Sequence, residues 1–344
     1  MSIAISGSTI TFADLTTQST APVVGDGFKN RIYNGDMRIW QRGTSFTNPT
    51  LANYYTADRW GANRSSDVNG AVVSRISSGL AGFEYALALQ RASGNTSAES
   101  LSLQYSNEST NTYDLVGSPV TLSFWAKTGS TYSGGPLFVR LRSGTGVDQR
   151  VYAYTGFNDF AASTQAITST WTRYSLTGTV PSSTTQLGFY MFWTPPGTAA
   201  SADDSVYITG VQLEQGSTAT EFERRPIGTE LALCQRYYQK TYEFLVAPGT
   251  STDVGAINYV TTGSFQDLND RLMVEMRAVP STVSIITPTG VVGSVRNYTN
   301  STNYVATING GFGRTSSKQT VFRTNVPATV ANELSYHLTA DADL

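Results

Sequence analysis

The chain has 344 residues and a formal net charge of -2, with 23 basic and 25 acidic side chains. This length allows two or three domains that bury cores without disulfides or metals, and the near-neutral charge gives no general attraction for a nucleic-acid backbone or an anionic membrane. Only 14% of the residues are charged, while Gly (31) and Tyr (19) are numerous. That composition predicts an all-β protein with few long helices.

The cysteine content and the first 14 residues indicate the compartment in which the protein is assembled. Cys234 is the only cysteine, so no intrachain disulfide can form and a thiolate metal site lacks ligands. This usage is typical of assembly in a reducing cytoplasm. Residues 1–14 lack a basic start and an unbroken apolar run, so we predict no signal peptide, and no later run is long enough for membrane insertion.

Residues 1–27 contain two short runs of alternating apolar residues, at residues 3–5 and 10–12, on either side of a turn at residues 6–8. Each run can bury side chains on one face only. Such a segment cannot form its own core, so we expect it to act as an arm that pairs with a partner subunit or with the next domain.

From residue 28 to about residue 226, strands alternate with turn clusters. The runs 120–127, 137–142 and 187–193 each place aliphatic residues on one face and polar or aromatic residues on the other. Between residues 206 and 213 the apolar positions shift phase by one residue, which predicts a bulge at Thr209 and Gly210. Strands of this spacing predict a two-sheet sandwich of about seven or more strands.

Pro226 ends this domain, and a different period follows. Apolar residues between Ile227 and Tyr238 recur at helical spacing, which predicts one helix from residue 228 to about residue 242. Later apolar runs predict strands, with turns at residues 297–303 and 310–311. These runs are 244–246, 256–260, 272–274, 283–286, 304–308 and 321–322. No internal repeat of fixed period is present, which argues against a solenoid.

Three stretches of the larger domain resemble phage fibre proteins built on a jelly roll of the type found in carbohydrate-binding modules of glycanases. They are residues 30–46 followed by 57–60, residues 120–127 with 170–174, and residues 211–217 with 219–226. Residues 3–20 are similar to short N-terminal pieces of phage fibres. Residues 233–240 and 276–280 resemble a C-terminal module that often follows this jelly roll.

The resemblance implies a tail-fibre or head-spike protein of a bacteriophage virion, assembled in the host cytoplasm. It implies three parts: residues 1–27 as an arm that attaches to other virion proteins, 28–226 as a carbohydrate-binding-module-like jelly roll, and 227–344 as a helix plus β domain that oligomerises the protein or forms its tip. It also implies a homotrimer that binds host surface polysaccharide. Nucleic-acid binding and membrane insertion are not expected.

The same resemblance raises the question of calcium. Such jelly rolls often hold a structural Ca²⁺ between an Asn-Gly-Asp opening and an acidic residue of the closing strand. The opening is present at residues 34–36, but residues 208–211 read Ile-Thr-Gly-Val. An oxygen-ligand site would need another carboxylate, Asp203 or Asp204. Structural calcium is therefore left open, and no other cofactor is expected.

Sugar recognition needs flat aromatic faces and a few polar groups that fix the hydroxyls. Six side chains lie opposite the aliphatic face of their own predicted strands and are the candidate carbohydrate-binding residues: Trp125, Arg140, Arg142, Tyr152, Tyr154 and Tyr190. They could line the outer surface of one sheet. The alternative is that they pack against a neighbouring subunit or a covering loop. Trp40, Trp60 and Trp171 lie beside turns and are predicted core or corner residues.

Glycan cleavage needs two carboxylates at a suitable separation. Seven acidic residues of the larger domain are candidates, and none stands in a recognisable catalytic phrase: Glu84, Asp114, Asp148, Asp159, Asp203, Asp204 and Glu214. His337 is the only histidine and no nucleophile elbow is present, so a Ser/His/Asp triad is not predicted. Cys234 lies on the apolar stripe of the helix and is predicted to be a core residue.

The sequence therefore predicts a non-enzymatic fibre or spike subunit that binds host surface glycan and mediates adhesion. Two alternatives remain. The first is a head or tail decoration or adaptor protein that binds only other virion proteins, and the second is a polysaccharide depolymerase.

Overall fold

A computed structural model describes residues 4–6, 9–11, 17–18, 28–47, 55–64, 70–262, 265–308, 315–326 and 332–344. Near the N-terminus, β1 (Ala4–Ser6), β2 (Thr9–Thr11) and β3 (Thr17–Gln18) form a three-stranded antiparallel sheet in that order. The other residues of the predicted arm lie outside the described residues, and attachment through the arm stays a prediction.

The larger domain is built from two antiparallel sheets. The five-stranded sheet has the order β11-β10-β13-β8-β5, with β5 (Gly61–Arg64), β8 (Leu101–Ser106), β10 (Leu137–Gly144), β11 (Asn158–Gln165) and β13 (Gln186–Trp193). The six-stranded sheet has the order β12-β9-β14-β7-β6-β4, with β4 (Ser45–Thr47), β6 (Ala71–Leu80), β7 (Phe83–Arg91), β9 (Pro119–Thr128), β12 (Thr172–Thr179) and β14 (Ser205–Gln215). Three short 3-10 turns, Ser109–Asn111, Tyr113–Leu115 and Val151–Ala153, lie in the connections.

The two sheets enclose one apolar core, and the domain is a jelly-roll β-sandwich. Leu122 and Phe124 of β9, Val139 of β10, and Phe189 and Met191 of β13 are all fully buried in it. The alternation predicted for these three runs is confirmed. Successive side chains of a strand point to opposite sides. The other face of each of these three strands therefore lies outside the core, as the sequence pattern predicts.

The predicted bulge in the closing strand is also confirmed. The register between β14 and β9 shifts between Thr209 and Gln212. Gly210 has a φ of +60°, a left-handed conformation that glycine adopts without steric cost. The bulge lets Ile208 and Val211 both face the core.

The smaller domain begins with one helix, α1 (Ile227–Gln235). The predicted extension of this helix to residue 242 is wrong. The chain instead forms β15 (Tyr238–Lys240), which pairs with the last strand at residues 339–341. Backbone pairing with a segment a hundred residues away thus overrides the local helical period. Cys234 is fully buried, as predicted.

The rest of the smaller domain is an eight-stranded sheet centred on its last strand. Its strands are β15, β16 (Ile257–Thr261), β17 (Phe265–Arg271), β18 (Thr282–Ile286), β19 (Ser294–Asn297), β20 (Thr302–Ile308), β21 (Gln319–Asn325) and β22 (Asn332–Asp341). Leu268, Ile285, Phe322 and Tyr336 lie in its core. The domain is β-rich as predicted.

Two predicted strands of this domain are wrong. Residues 244–246 form a turn in which the Val246 amide donates to the Glu243 carbonyl. Residues 272–274 follow β17 instead of forming a strand, because β17 ends where its pairing with β21 ends, at Arg271. The other predicted strands of the domain are present, and the predicted turn at residues 310–311 lies outside the described residues.

The two domains contact each other through buried charges near the end of the chain. The guanidinium of Arg59 lies 2.6 Å from Asp343, and both side chains are almost fully buried. Arg42 lies 2.6 Å from the same carboxylate, and the Gln41 side chain donates to the Tyr238 carbonyl at 2.8 Å. These contacts hold residues 341–344 against the larger domain. In the described part of the chain, no helix is long and apolar enough to cross a bilayer.

Candidate binding face

The outer face of the five-stranded sheet carries a row of aromatic side chains. Where β10 pairs with β13, Phe138 lies opposite Phe192 and Arg140 lies opposite Tyr190. Val139, which lies between Phe138 and Arg140 in β10, is fully buried in the core. Because side chains alternate along a strand, these rings and Arg140 lie on the side of the sheet away from the core.

The rings contact one another along this face. The ring centroids of Phe138 and Phe192 are 4.8 Å apart with an interplanar angle of 14°, and those of Phe192 and Tyr190 are 5.9 Å apart at 18°. Tyr152 continues the row, 4.8 Å from Tyr190. We name Phe138, Tyr152, Tyr190 and Phe192 the aromatic platform. Such rings present a flat apolar surface of the kind that covers the apolar face of a pyranose.

A 3-10 turn brings two predicted binding tyrosines to one end of the platform. Tyr152 lies within the turn Val151–Ala153 and Tyr154 directly after it, so the prediction that they belong to a strand is wrong. Tyr152 is 47% exposed, whereas Tyr154 is 3% exposed. A Cβ on Gly188 would lie 2.8 Å from the Tyr154 hydroxyl. Tyr154 therefore fills space over the sheet and supports the platform, instead of facing a ligand.

Arg142 is fixed by an internal network at the same end of the face. Its Nε and Nη2 donate to the two oxygens of Asp159 at 2.6 and 3.1 Å, and Nη2 also donates to the Tyr190 hydroxyl at 3.1 Å. That hydroxyl donates to Asp159 at 2.8 Å. The network locks the Tyr190 ring in place beside Arg142.

The network sets the ionisation of its members. Burial by itself raises the pKa of Asp159, but hydrogen bonds from Arg142 and Tyr190, together with the charge of Arg142, outweigh it and hold that pKa below its ordinary value. Burial, reinforced by the hydrogen bond to Asp159, raises the pKa of Tyr190 to about 12. Asp159 is therefore a charged carboxylate and Tyr190 a neutral phenol near neutral pH.

Arg140 lies in the middle of the face and is held differently. Its Nη1 donates to the carbonyls of Val139 and Ser163 at 2.9 and 3.1 Å. The guanidinium carbon lies 5.8 Å from the ring centroid of Phe138 and 6.0 Å from that of Phe192. Arg140 thus places a cation next to the rings of the platform.

Trp125 does not belong to this face, contrary to the prediction that one outer surface holds all six candidates. It lies in β9 of the six-stranded sheet, opposite Arg173 and Thr209. The segment that follows β14 folds back over this surface, where the Glu223 amide donates to Gln212 at 2.8 Å. The alternative reading, a covering loop, therefore describes this side of the domain.

Some residues of the face were missing from the candidate set. Phe138 and Phe192 lie opposite the aliphatic face of strands that the sequence already predicts, so the same alternation could have identified them. Phe157, 60% exposed and 4.4 Å from the Arg142 guanidinium, has no such signal because it precedes β11. Trp40 and Trp60 are buried core residues, as predicted.

The seven candidate catalytic carboxylates each lie beside a partner group. Each has a partner: Glu84 with Tyr85, Asp114 with Arg31, Asp148 with Arg277, Asp159 with Arg142, Asp203 with Ser130, Asp204 with Arg91, and Glu214 with Thr220. In addition, hydrogen bonds that outweigh burial lower the pKa of Asp203, as they do for Asp159. Neither of these two is a protonated acid near neutral pH, as the cleavage of a glycosidic bond requires.

Two of the carboxylates considered for calcium are paired with arginines in this structure. The Asp36 carboxylate lies 2.6 Å from Arg38, and Asp204 lies 2.8 Å from Arg91 with both side chains fully buried. An arginine cation thus lies against one oxygen of each of these two carboxylates. Among the described residues, no group of three or more His, Cys, Asp or Glu side chains could hold a metal ion.

Comparisons with known proteins were made at the levels of sequence and structure. No protein-family model matches the chain, and no curated protein matches it. Solved structures do match. Its structural neighbours are carbohydrate-binding modules and a phage tailspike domain.

Three of these structures illustrate the likeness. A CBM4 carbohydrate-binding module is 18% identical, covers 53% of this chain and 98% of its own, and has a TM-score of 0.35. The CBM22-1 xylan-binding domain of Paenibacillus barcinonensis Xyn10C is 12% identical, covers 55% and 96%, and has a TM-score of 0.32. The enzymatically active domain of tailspike protein 4 of bacteriophage CBA120 is 14% identical, covers 55% and 22%, and has a TM-score of 0.33.

Proposed function

We propose that the protein is a non-enzymatic fibre or spike subunit of a bacteriophage particle that binds host surface glycan through the aromatic platform. The observation that carries this proposal is the platform itself. Contacting rings lie on the outer face of a sheet whose other face is fully packed, and Tyr152 at its end is 47% exposed. Stacking on such rings suits a pyranose, and Arg140 supplies donors for its polar groups.

We further propose that the protein works as a homo-oligomer, a trimer, on a particle assembled in the host cytoplasm. The smaller domain supports self-association because it exposes apolar side chains. Val260 is 71% exposed and lies in β16, which pairs with β22 along one edge; Val292 and Val305 are also exposed. Within the described residues β16 pairs only with β22, and a strand edge without a partner that carries exposed apolar residues is suited to pairing with another chain. Several copies would turn weak single-site binding into adhesion.

A glycan array on the purified protein tests the binding function. We expect the wild-type protein to bind at least one class of glycan, and the paired change Phe138→Ala with Phe192→Ala to abolish that binding, because it removes the stacking surface. The paired change Phe83→Ala with Phe222→Ala is the matched control. It makes the same chemical change on the other side of the domain, where Phe222 packs 5.2 Å from Phe83, and it should leave binding intact.

Two outcomes would favour the alternatives. Binding to no glycan, while the protein still assembles with other virion proteins, would indicate a decoration or adaptor role. New reducing ends after incubation with host polysaccharide would indicate a depolymerase. The proposal assigns neither activity to the protein.

A further inference from the structure

We infer that the glycan bound at the aromatic platform is acidic and that Arg140 binds its carboxylate. This inference rests on the proposed function, because it names the class of sugar for the same face. Arg140 lies beside the stacked rings of Phe138 and Phe192. A sugar stacked on these rings would therefore bring its ring substituents next to the guanidinium.

The two arginines of β10 differ in what neutralises them. Arg142 uses the edge formed by Nε and Nη2 to bind both oxygens of Asp159. Arg140 uses Nη1 alone, for backbone carbonyls. Within the described residues, its Nε and Nη2 have no hydrogen-bond partner and no carboxylate lies within ion-pair distance. In Arg142 the Nε–Nη2 edge binds a carboxylate. In Arg140 the same edge is thus available for a ligand.

The chemistry of that edge selects the ligand. Two parallel N–H donors match the two oxygens of a planar carboxylate, and such bidentate pairs are stronger than neutral hydrogen bonds. The Asp159–Arg142 pair, two residues further along the same strand, shows this geometry on this face. The intermolecular counterpart is a uronic-acid carboxylate, which is attached directly to the sugar ring.

The charge balance of the face supports the same reading. Four strands of this sheet, β8, β10, β11 and β13, contain three charged residues, Arg140, Arg142 and Asp159, and the edge strand β5 adds Arg64. The four strands carry a formal charge of +1, while the whole chain carries -2. After the Arg142–Asp159 pair is set aside, the charge within these four strands is that of Arg140.

Paired ligands test the inference on the full chain. Binding is measured by titration calorimetry to polygalacturonate, alginate and hyaluronan, and to the same polymers after chemical reduction of their carboxyl groups. We expect the wild-type protein to prefer the acidic form, with affinity falling as salt rises. Arg140→Gln should weaken binding to the acidic form by about tenfold, the effect of losing one hydrogen bond to a charged group, and binding to the reduced form by less than about twofold.

Arg75→Gln is the matched control. Arg75 lies in β6 of the six-stranded sheet, 4.3 Å from the Tyr85 ring centroid, so this change removes the same charge from beside another ring. It should change neither affinity by more than about twofold, because a charge on the other sheet lies far from the platform and is screened.

The results separate this inference from the proposed function. Equal weakening of acidic and reduced ligands by Arg140→Gln, or a preference for the reduced form, would overturn the inference and leave platform binding standing. Binding to a glycan on the array but to none of these acidic polymers would overturn the inference and also leave platform binding standing. If the wild-type protein binds none of these polymers and no glycan on the array, both proposals fail together.

Discussion

The two outer faces of the jelly roll have the same alternating sequence pattern but differ in whether another segment covers them. On the five-stranded sheet, Phe138, Tyr190 and Phe192 lie opposite the aliphatic face and remain at a surface with Tyr152 at its end. On the six-stranded sheet, Trp125 occupies an equivalent position, but residues 217–225 fold back over that side. Alternation therefore identifies the side of a strand that leaves the core, and a later segment decides whether that side meets solvent.

The ion pairs of the two sheets differ in burial. The ion pair between Arg91 and Asp204, which joins β7 to the start of β14, is fully buried, and Arg91 also donates to the Asn95 and Thr198 carbonyls. The Arg142–Asp159 pair on the open face is partly exposed, with 27% of the Asp159 side chain accessible. The first pair is a structural anchor, and the second lies next to the surface assigned to ligand.

The largest expected effect comes from breaking the buried pair. Asp204→Asn leaves the Arg91 charge buried without its partner and should lower the free energy of unfolding by about 3–5 kcal/mol. Asp159→Asn should cost less, about 1–3 kcal/mol, because Arg142, although mostly buried, keeps the Tyr190 hydroxyl and the Val151 carbonyl as hydrogen-bond partners. Urea unfolding of the two variants checks this difference. Similar losses for both would contradict the distinction between a fully buried anchoring pair and a partly exposed one.

The next effect concerns how the turn at Val151–Ala153 packs on the open sheet. In Gly188→Ala the new Cβ would lie 2.5 Å from the Tyr105 carbonyl oxygen and 2.8 Å from the Tyr154 hydroxyl. We expect a loss of about 1–3 kcal/mol from overpacking, measured by thermal unfolding, and weaker glycan binding because Tyr152 shifts with the turn. Gly135→Ala is the control, since nothing lies within 4 Å of its Cβ. A silent Gly188→Ala would show that Tyr154 does not support the platform.

How far the sequence predicts this arrangement depends on the range of the forces involved. The strands at 120–127, 137–142 and 187–193 are predicted well, because every second residue of each run is apolar and this pattern indicates burial of one face. The end of the helix is predicted badly, because the residues around Tyr238 do not indicate that this residue pairs with Asp341. For the same reason, the cover over Trp125 could not be read from the residues around it.

The platform itself is half predictable. Tyr190 follows from alternation, and Phe138 and Phe192 could have been found by the same argument. Tyr152 and Tyr154 share one turn, and which of them is exposed depends on the space above Gly188. That space is a property of the packed sheet, since it exists only when β13 and the turn meet.

A third prediction compares one ring from each side of the domain. Tyr152→Ala should weaken glycan binding by about tenfold, equivalent to about 1.4 kcal/mol, because it removes the most exposed ring of the platform. Trp125→Ala should reduce thermal stability and leave the dissociation constant per folded protein unchanged, because its ring packs beside Gly210 on the other sheet. Calorimetric titration against one array-positive glycan decides it. A binding loss for Trp125→Ala alone would place the site on the six-stranded sheet.

The smallest expected effect is on the pH dependence of stability and of glycan binding. It is tested with two aspartates, Asp159 beside the platform and Asp203 away from it. The pKa values of Asp159 and Asp203 are both held below the ordinary value by hydrogen bonds that outweigh burial. A carboxylate with a lowered pKa in the folded state adds stability above the unfolded-state pKa of roughly 4, and this stability is lost as pH falls through the lower folded value. Asp159→Asn and Asp203→Asn should each flatten the decline in urea midpoint between about pH 5 and pH 2.

Glycan binding should respond to only one of them. Protonation of Asp159 removes the acceptor that orients Arg142 and Tyr190. For a carboxyl-reduced glycan, whose own charge does not change with pH, wild-type affinity should therefore fall over this acidic range, and Asp159→Asn should remove that fall. Asp203 binds Ser130 at a site away from the platform, so Asp203→Asn should leave the pH profile of affinity as it is in the wild type. If both changes alter the binding profile alike, the acid sensitivity belongs to the whole fold, and the network of Arg142, Asp159 and Tyr190 has no separate role in positioning the rings.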